Sequence, residues 1–259
     1  MSDLTSVAVY RRRIGASLER VWENVHDWEH LPWLHRESFA SIALEEAGDF
    51  GWRARIGLHG EARPEIRLEL VLGDDECYVS RTLEGPGARS EIWTRLRPVD
   101  ASHTDIEVEF LLPDVPRARK GALGSAYVKL YTLLWDQDEG MMQRRAFLLA
   151  GPRGAPAGAS LDLGPETELV GRTPLRVELG GRPVVVSRLE EGWVAFDALC
   201  PHMLGPLDAG AIEGGRVVCP WHGYAFDVRT GRGCGEASRL RLAPPPRVEL
   251  RGGRVLLAR

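Results

Sequence analysis

Two short ligand clips constrain the folding of this chain more than any other feature: Cys200-Pro201-His202 and Cys219-Pro220-Trp221-His222, one cysteine and one histidine in each, sixteen residues apart. Glycine-containing loop sequence follows each clip, with Gly205 and Gly210 after the first and Gly223 after the second. Around them, short strand signals dominate, at 174–179, 183–189, 192–196, 216–219, 224–227, 247–250 and 254–257. Gly180-Gly181 and Gly252-Gly253 read as two-residue hairpin turns, and no convincing helix is visible. A β module of about 90 residues is marginal on a hydrophobic core alone, so a bound group is expected to hold it together. Two thiolates with two imidazoles could hold tetrahedral zinc, although zinc clips more often pair like with like, as Cys-x2-Cys or His-x3-His. The chain has four cysteines, too few for a disulfide scaffold in 259 residues. Cys77 reads as a core thiol in a strand and Cys234 as a loop residue; neither is assigned to metal.

Upstream, the stretch from Gly151 to Ala159 contains no aromatic or large aliphatic side chain, and its glycines and prolines spoil both helix and strand. A linker is therefore expected across 151–166, dividing a first body at 1–150 from a second at 167–259. Charge supports the division: residues 1–166 hold 20 basic and 27 acidic side chains, and 167–259 hold 13 and 10, so the net charges are -7 and +3. The first body opens on an alternating strand at Ser6–Tyr10. A helix follows over 16–25, with Ser17 as its cap and Leu18, Val21, Trp22 and Val25 as an apolar stripe. Strand signals come next at 39–45, 50–58, 64–73, 76–84, 90–97 and 104–111. A long helix closes the body from about 120 to 148, with Tyr127, Leu130, Tyr131, Leu134, Met141, Met142 and Phe147 facing inward. This is an α+β pattern, and a curved antiparallel sheet wrapped round a long helix leaves a natural small-molecule cavity between them.

Composition narrows the function classes. At 44% hydrophobic and 27% charged residues the chain is neither disordered nor fibrous. No run of 18 apolar residues is present, which excludes a helical membrane span, and Met1-Ser2-Asp3-Leu4 lacks the basic-then-apolar pattern of a secretory signal, so a cytoplasmic protein is expected. A net charge of -4 argues against non-specific nucleic-acid binding.

A second set of candidate ligands lies in the first body. Within Glu23-Asn24-Val25-His26-Asp27-Trp28-Glu29-His30-Leu31-Pro32-Trp33-Leu34-His35, three of the seven histidines stand beside several carboxylates. In an unbroken helix His30 and His35 would splay too far apart to share one ion, but Pro32 is expected to bend or end the helix and let His35 swing back. A third ligand would come from the acidic stretch Trp135-Asp136-Gln137-Asp138-Glu139 on the terminal helix. Taken singly, these features also fit packing tryptophans at 22, 28 and 33, a surface histidine and a solvated acidic face.

The two clips, with Gly205, Gly210, Gly223 and Phe226-Asp227, closely resemble the signature of a Rieske [2Fe–2S] domain. The resemblance covers most of the second body. It implies that Cys200 and Cys219 hold one iron and His202 and His222 the other. Gly205 and Trp221 stand where high-potential members carry an extra disulfide, and Phe226 stands where they offer a hydroxyl; both departures imply a low-potential cluster. In the first body, Asp27-x2-His30-x4-His35, with Glu23 four residues before the aspartate, resembles the mononuclear-iron motif of Rieske non-haem iron oxygenases. That likeness implies Fe(II) held by His30, His35 and Asp138, with Asp136 as the main competitor for the third position. It also implies Asp27 as the carboxylate that bridges an iron-bound histidine and a cluster-bound one.

The implied fold is an N-terminal helix-grip, START-like domain followed by an all-β Rieske domain, an order inverted relative to ordinary members of the family. The implied activity uses O2 and electrons from a reductase or ferredoxin to hydroxylate, dihydroxylate or dealkylate a small hydrophobic organic substrate, in a head-to-tail homotrimer. Two other readings compete. One is a Rieske electron-transfer or ligand-sensing protein whose first body binds a hydrophobic molecule without iron; the other is a structural zinc module joined to a lipid-binding domain. Leu58, Ile66, Leu68, Val108 and Phe110 are candidate pocket or core residues, and Arg63, Arg95 and Arg97 are candidates to meet an anionic substrate or to sit on the surface.

Overall fold

The structure, a computed structural model, describes residues 4–62, 64–74, 76–151 and 158–258. The chain separates into two units, Met1–Ala146 and Phe147–Arg259.

In the first unit β1 (Leu4–Ile14) leads into α1 (Leu18–His26) and a single-turn α2 (Leu31–Leu34). Six strands follow: β2 (Phe39–Gly48), β3 (Gly51–Leu58), β4 (Glu65–Leu72), β5 (Cys77–Glu84), β6 (Glu91–Pro98) and β7 (Thr104–Pro113). The long α3 (Lys120–Ala150) closes the unit. The seven strands form one antiparallel sheet in the order β1-β7-β6-β5-β4-β3-β2, so α1 and α2 connect opposite edges. Strand β7 shows why a sheet forms: Thr104, Ile106, Val108, Phe110 and Leu112 are buried and their alternate neighbours are not, the two-residue period of a half-buried strand. The inward rows of β3 and β4 (Trp52, Ala54, Ile56, Ile66, Leu70) pack with Val21 and Val25 of α1 and with Trp135 and Met142 of α3. A second cluster of Val7, Val108, Phe110 and Leu112 receives Leu123, Tyr127 and Tyr131 of α3. This is the helix-grip arrangement. Gly124 lets the helix come close to β1, since a Cβ there would stand 2.5 Å from the Val7 carbonyl oxygen.

Several expectations are corrected. The first strand is longer than the segment at Ser6–Tyr10. Pro32 does not break the helix: α1 already ends at His26 with Asp27 as its C-cap, and Pro32 lies in the first turn of α2, where its missing N–H is no loss. Phe147 is 78% exposed rather than inward, while Trp135, absent from the expected inward set, is buried. Of the three tryptophans, Trp22 and Trp28 pack against the core and Trp33 is exposed.

Of the expected linker at 151–166, residues 152–157 lie outside the described residues, whereas β8 (Ser160–Pro165) is a strand that pairs with the last strand of the chain. Apolar Leu161 and Leu163, alternating with Asp162, supply a packing row that the glycine content of this stretch had obscured. A single turn, α4 (Glu166–Leu169), comes next. The second unit then has β9 (Leu175–Leu179), β10 (Arg182–Leu189), β11 (Gly192–Asp197), β12 (Ile212–Glu213), β13 (Arg216–Val218), β14 (Ala225–Asp227), β15 (Gly233–Cys234), β16 (Arg247–Arg251) and β17 (Arg254–Ala258). They form three small sheets, β11-β10-β9, β12-β13-β14-β15 and β16-β17-β8. Both expected Gly-Gly hairpins are present with positive φ at each glycine, and Gly214-Gly215 forms a third between β12 and β13. Among the described residues no helix is long and apolar enough to cross a membrane.

Candidate metal centres

The break between α1 and α2 shapes the first centre. Because α1 stops at Asp27, the chain turns there, and His30 and His35 bracket the short α2 as its two caps. Their rings lie 5.0 Å apart, centroid to centroid, and both are buried, at 5% and 2% exposure. Asp138, buried on α3, completes the group: its Oδ1 is 3.5 Å from His30 Nε2 and 3.1 Å from His35 Nε2. Among the described residues, these three are the group of His, Cys, Asp or Glu whose ligand atoms all lie within 4.8 Å of one another. Two imidazoles and one carboxylate converging on one point from a buried pocket suit a divalent transition metal with further positions left open.

Helix geometry separates Asp138 from its competitor. Asp136 and Glu139 face β1, where both pair with Arg12 and Glu139 also accepts the Gly15 backbone N–H at 2.7 Å. Asp138 points the other way, into the triad.

Outer contacts hold each member in place. Asn24 of α1 donates from Nδ2 to Asp138 Oδ1 at 3.1 Å, and Gln137 Oε1 accepts from His35 Nδ1 at 2.7 Å. Asp27 Oδ2 stands 3.5 Å from His30 Nδ1, with its side chain only 7% exposed. In the sequence, adjacency to motif residues is the only local sign of Asn24 and Gln137. Burial alone would keep both partners of the His35–Asp138 contact neutral. The hydrogen bond and charge between them outweigh it, so His35 is raised above its ordinary value and Asp138 lowered, helped by His30 and Asn24. The pocket thus favours an ionised Asp138 beside the two imidazoles, an anionic donor that a metal ion can use. Metal-bound histidines typically donate their other N–H to an outer partner worth about 10–100-fold in metal affinity. Gln137→Leu is therefore expected to weaken metal binding by about that factor, measured by competitive chelation; unchanged affinity would remove Gln137 from the site.

A cavity of about 130 Å3 opens beside the triad, walled largely by apolar side chains of α1, α2, α3 and β2 to β4, with Tyr78 and Ser80 of β5. Of the five candidate pocket residues, Leu68 lines it; Ile66, Val108 and Phe110 are buried in the core, and Leu58 packs against it. Arg95 and Arg97 line a separate groove of about 530 Å3 with Arg11, Arg12 and Arg13, and there Asp105 and Glu107 sit between paired arginines. Arg63 lies outside the described residues.

The second centre rests on two loops with one backbone pattern. Cys200 N–H donates to Gly205 O and Leu204 N–H to Cys200 O; Cys219 N–H donates to Tyr224 O and Gly223 N–H to Cys219 O, all at 2.9 Å. Leu204 and Gly223 occupy equivalent positions and both have left-handed φ, 62° and 69°. The loops bring all four side chains together. Cys200, Cys219 and His222 are buried, and the His202 and His222 rings are 4.5 Å apart. A hydrogen bond from Cys200, aided by His222 and the Trp221 backbone N–H, lowers Cys219 to about 5 against the effect of burial; the same contact, with burial, raises Cys200. The pair therefore favours ionisation at Cys219 over Cys200. Gly205 keeps space open beside Cys219, since a Cβ there would stand 2.6 Å from its Sγ. Buried sulfurs, neighbouring imidazoles and this reserved space fit a cluster held from two sides.

Fold and sites together define a helix-grip domain carrying a metal-binding triad, followed by a domain built round a paired Cys–His centre. Residues 160–242 match the family model of the Rieske [2Fe-2S] domain. The chain is 40% identical over 70 residues to a chloroplastic pheophorbide a oxygenase of Arabidopsis thaliana, covering 26% of this chain and 12% of that protein. It is 36% identical over 53 residues to ferredoxin CarAc of Metapseudomonas resinovorans, covering 20% of this chain and 50% of that one. It therefore spans at most half the length of either relative. A solved START superfamily protein from Mycobacterium smegmatis superposes with a TM-score of 0.45 and 14% identity, over 53% of this chain and 97% of that one. The chain thus carries a Rieske domain related to those of oxygenases and ferredoxins, together with a separate two-histidine, one-aspartate triad.

Proposed function

We propose that this protein is a Rieske-type oxygenase that uses O2 and electrons from a reductase or ferredoxin to hydroxylate, dihydroxylate or dealkylate a small hydrophobic substrate. The observation that carries this reading is the convergence of His30, His35 and Asp138 on the wall of an apolar cavity, in a chain that also holds a Rieske domain. When bound, the [2Fe–2S] cluster would supply single electrons and a ferrous ion at the triad would supply O2 activation.

The residues of the chain set the conditions for that chemistry. With Nδ1–H given to Gln137, the neutral form of His35 has its Nε2 lone pair directed at the triad for a metal, and Asn24 holds one oxygen of Asp138. Apolar walls bind the substrate and exclude water from the reacting centre. Asp27, beside His30 Nδ1, would carry the electron path towards the cluster. Asp27→Asn is expected to slow single-turnover oxidation by at least about tenfold while leaving both metals bound; an unchanged rate would deny it that role. Because Phe226 offers no hydroxyl to the cluster sulfurs, the reduction potential is expected near the low end of the Rieske range, about -150 mV, measured by redox titration.

Iron quantitation with spectroscopy on anaerobically prepared protein tests the whole reading. The expected result is two irons in the cluster and one more at the triad, with product formed when reductant and O2 are supplied. A stoichiometry of two, with no turnover, would make the protein an electron carrier joined to a ligand-binding domain. A colourless protein would indicate zinc.

A further inference from the structure

Three consecutive arginines on β1 face two ways. Arg11 and Arg13 stand on the outer side of the sheet and pair with Glu107 and Asp105 of the neighbouring β7, Arg13 through two hydrogen bonds at 2.7 and 3.1 Å. Alternation turns Arg12 inward, where it pairs with both Asp136 and Glu139 of α3. We infer that Arg12 is a positioning residue for the metal triad: by gripping both carboxylates it fixes the rotation of α3 at which Asp138 meets His30 and His35. The inference rests on the triad as a metal site and not on the reaction proposed there.

Helix geometry makes the link. Asp136 and Glu139 are three residues apart and share one face of α3, whereas Asp138 lies about 200° round from Asp136, on the side of the histidines. Over four residues α3 is therefore held from two sides. Residues 136 and 139 are held by β1, and residues 137 and 138 by the histidines and Asn24. The β1 side is itself firmly mounted. Glu139 Oε1 accepts the Gly15 N–H at 2.7 Å, and the carbonyl of the next residue, Ala16, accepts from Thr104 Oγ1 of β7 at 2.9 Å. The same Gly15-Ala16 step leads into α1, whose Asn24 donates to Asp138.

Apolar packing alone does not select this rotation. Apolar side chains stand on more than one side of α3: Trp135, Met141 and Met142 are buried, while Leu133 and Phe147 are exposed. Methionine adapts its shape to the gap it fills, so a core face with two of them tolerates a small turn of the helix. A planar guanidinium held between two carboxylates does not. A turn that breaks either contact strips a partly buried carboxylate of its partner, and the Glu139 side chain is only 15% exposed.

Fe(II) affinity, measured by competitive chelation on anaerobic protein with its cluster in place, tests the role alongside the thermal midpoint. Arg12→Met keeps much of the side chain's length and removes its charge. It is expected to weaken Fe(II) binding at least about fivefold, short of the about 10–100-fold that follows loss of a direct outer partner. Arg13→Met is the control: it removes an ion pair from the same strand on the outer side, and affinity should stay within about twofold of wild type. Arg12→Lys retains the charge without the planar fork and should recover part of the loss. Should Arg12→Met fold poorly, Glu139→Gln removes one arm of the grip while keeping an oxygen for the Gly15 N–H, and a loss of at least about threefold is expected. Affinity in the Arg12 and Glu139 variants within about twofold of wild type would overturn the role. Equal losses in Arg12→Met and Arg13→Met would overturn it too, since they would report a general loosening of β1. Wild-type protein that takes up no Fe(II) at the triad would sink the metal site itself, whereas undiminished binding in Arg12→Met would leave that site standing and remove only Arg12.

Discussion

Replacement of His30 by alanine is expected to empty the triad and end turnover while the visible absorption of the cluster persists. His30 contributes one of three ligand atoms that lie within 4.8 Å of one another, and no other histidine reaches the group among the described residues. With Asp138 and His35 alone, the site drops from three protein ligands to two. The loss in affinity should then exceed the about 10–100-fold that follows removal of an outer partner. The Cys and His residues of the Rieske domain belong to the other unit, so their absorbance and iron should be unaffected. Iron should fall by one per chain, and product formation should fall by at least about a thousandfold, since the reaction loses the group that activates O2. Substrate-dependent turnover surviving in His30→Ala would disprove the assignment of the triad as the reacting centre.

The second large effect concerns stability. Cys219→Ser is expected to abolish the visible spectrum and to unfold much of the second unit while the first stays folded. The second unit is three small sheets, and one core cluster there consists of Leu179, Val184, Val186, Ala195 and Leu257. A module of that size leans on its bound group, because metal binding to a site that exists only in the folded chain is folding free energy. Loss of on the order of 3 kcal/mol would lower its transition by more than about 10 °C. Gly205→Ala tests the same centre sterically, by placing a methyl group where Cys219 Sγ and the cluster must meet. Limited proteolysis, read alongside absorbance, separates the units: cleavage confined to 158–258 is the expected pattern. Retention of full colour in Cys219→Ser would remove that cysteine from the cluster.

Much of the architecture was legible because the signals are local. The two-residue alternation of β7 and the segments of β3 to β6 are properties of neighbouring residues, and so is the capping of α1 by Ser17, whose hydroxyl accepts the Arg20 N–H. The Cys–His clips were equally visible, since each loop closes within five residues. Errors fell where a distant partner decides the outcome. Ser160–Pro165 reads as linker until β17 pairs with it. Phe147 completes an inward pattern along α3, but that position of the helix is exposed.

Local spacing alone determined that this chain carries a paired Cys–His centre, a histidine pair five residues apart and an antiparallel sheet closed by a long helix. Tertiary structure decided that Asp138 rather than Asp136 faces those histidines, that Asn24 and Gln137 hold the group, and that Arg53 and Arg67 pair with carboxylates of the sheet instead of lining the cavity. The reason is physical: spacing fixes which side chains share a face of one element, but burial and charge pairing depend on what the opposite element brings, and that is known only once the chain has closed on itself.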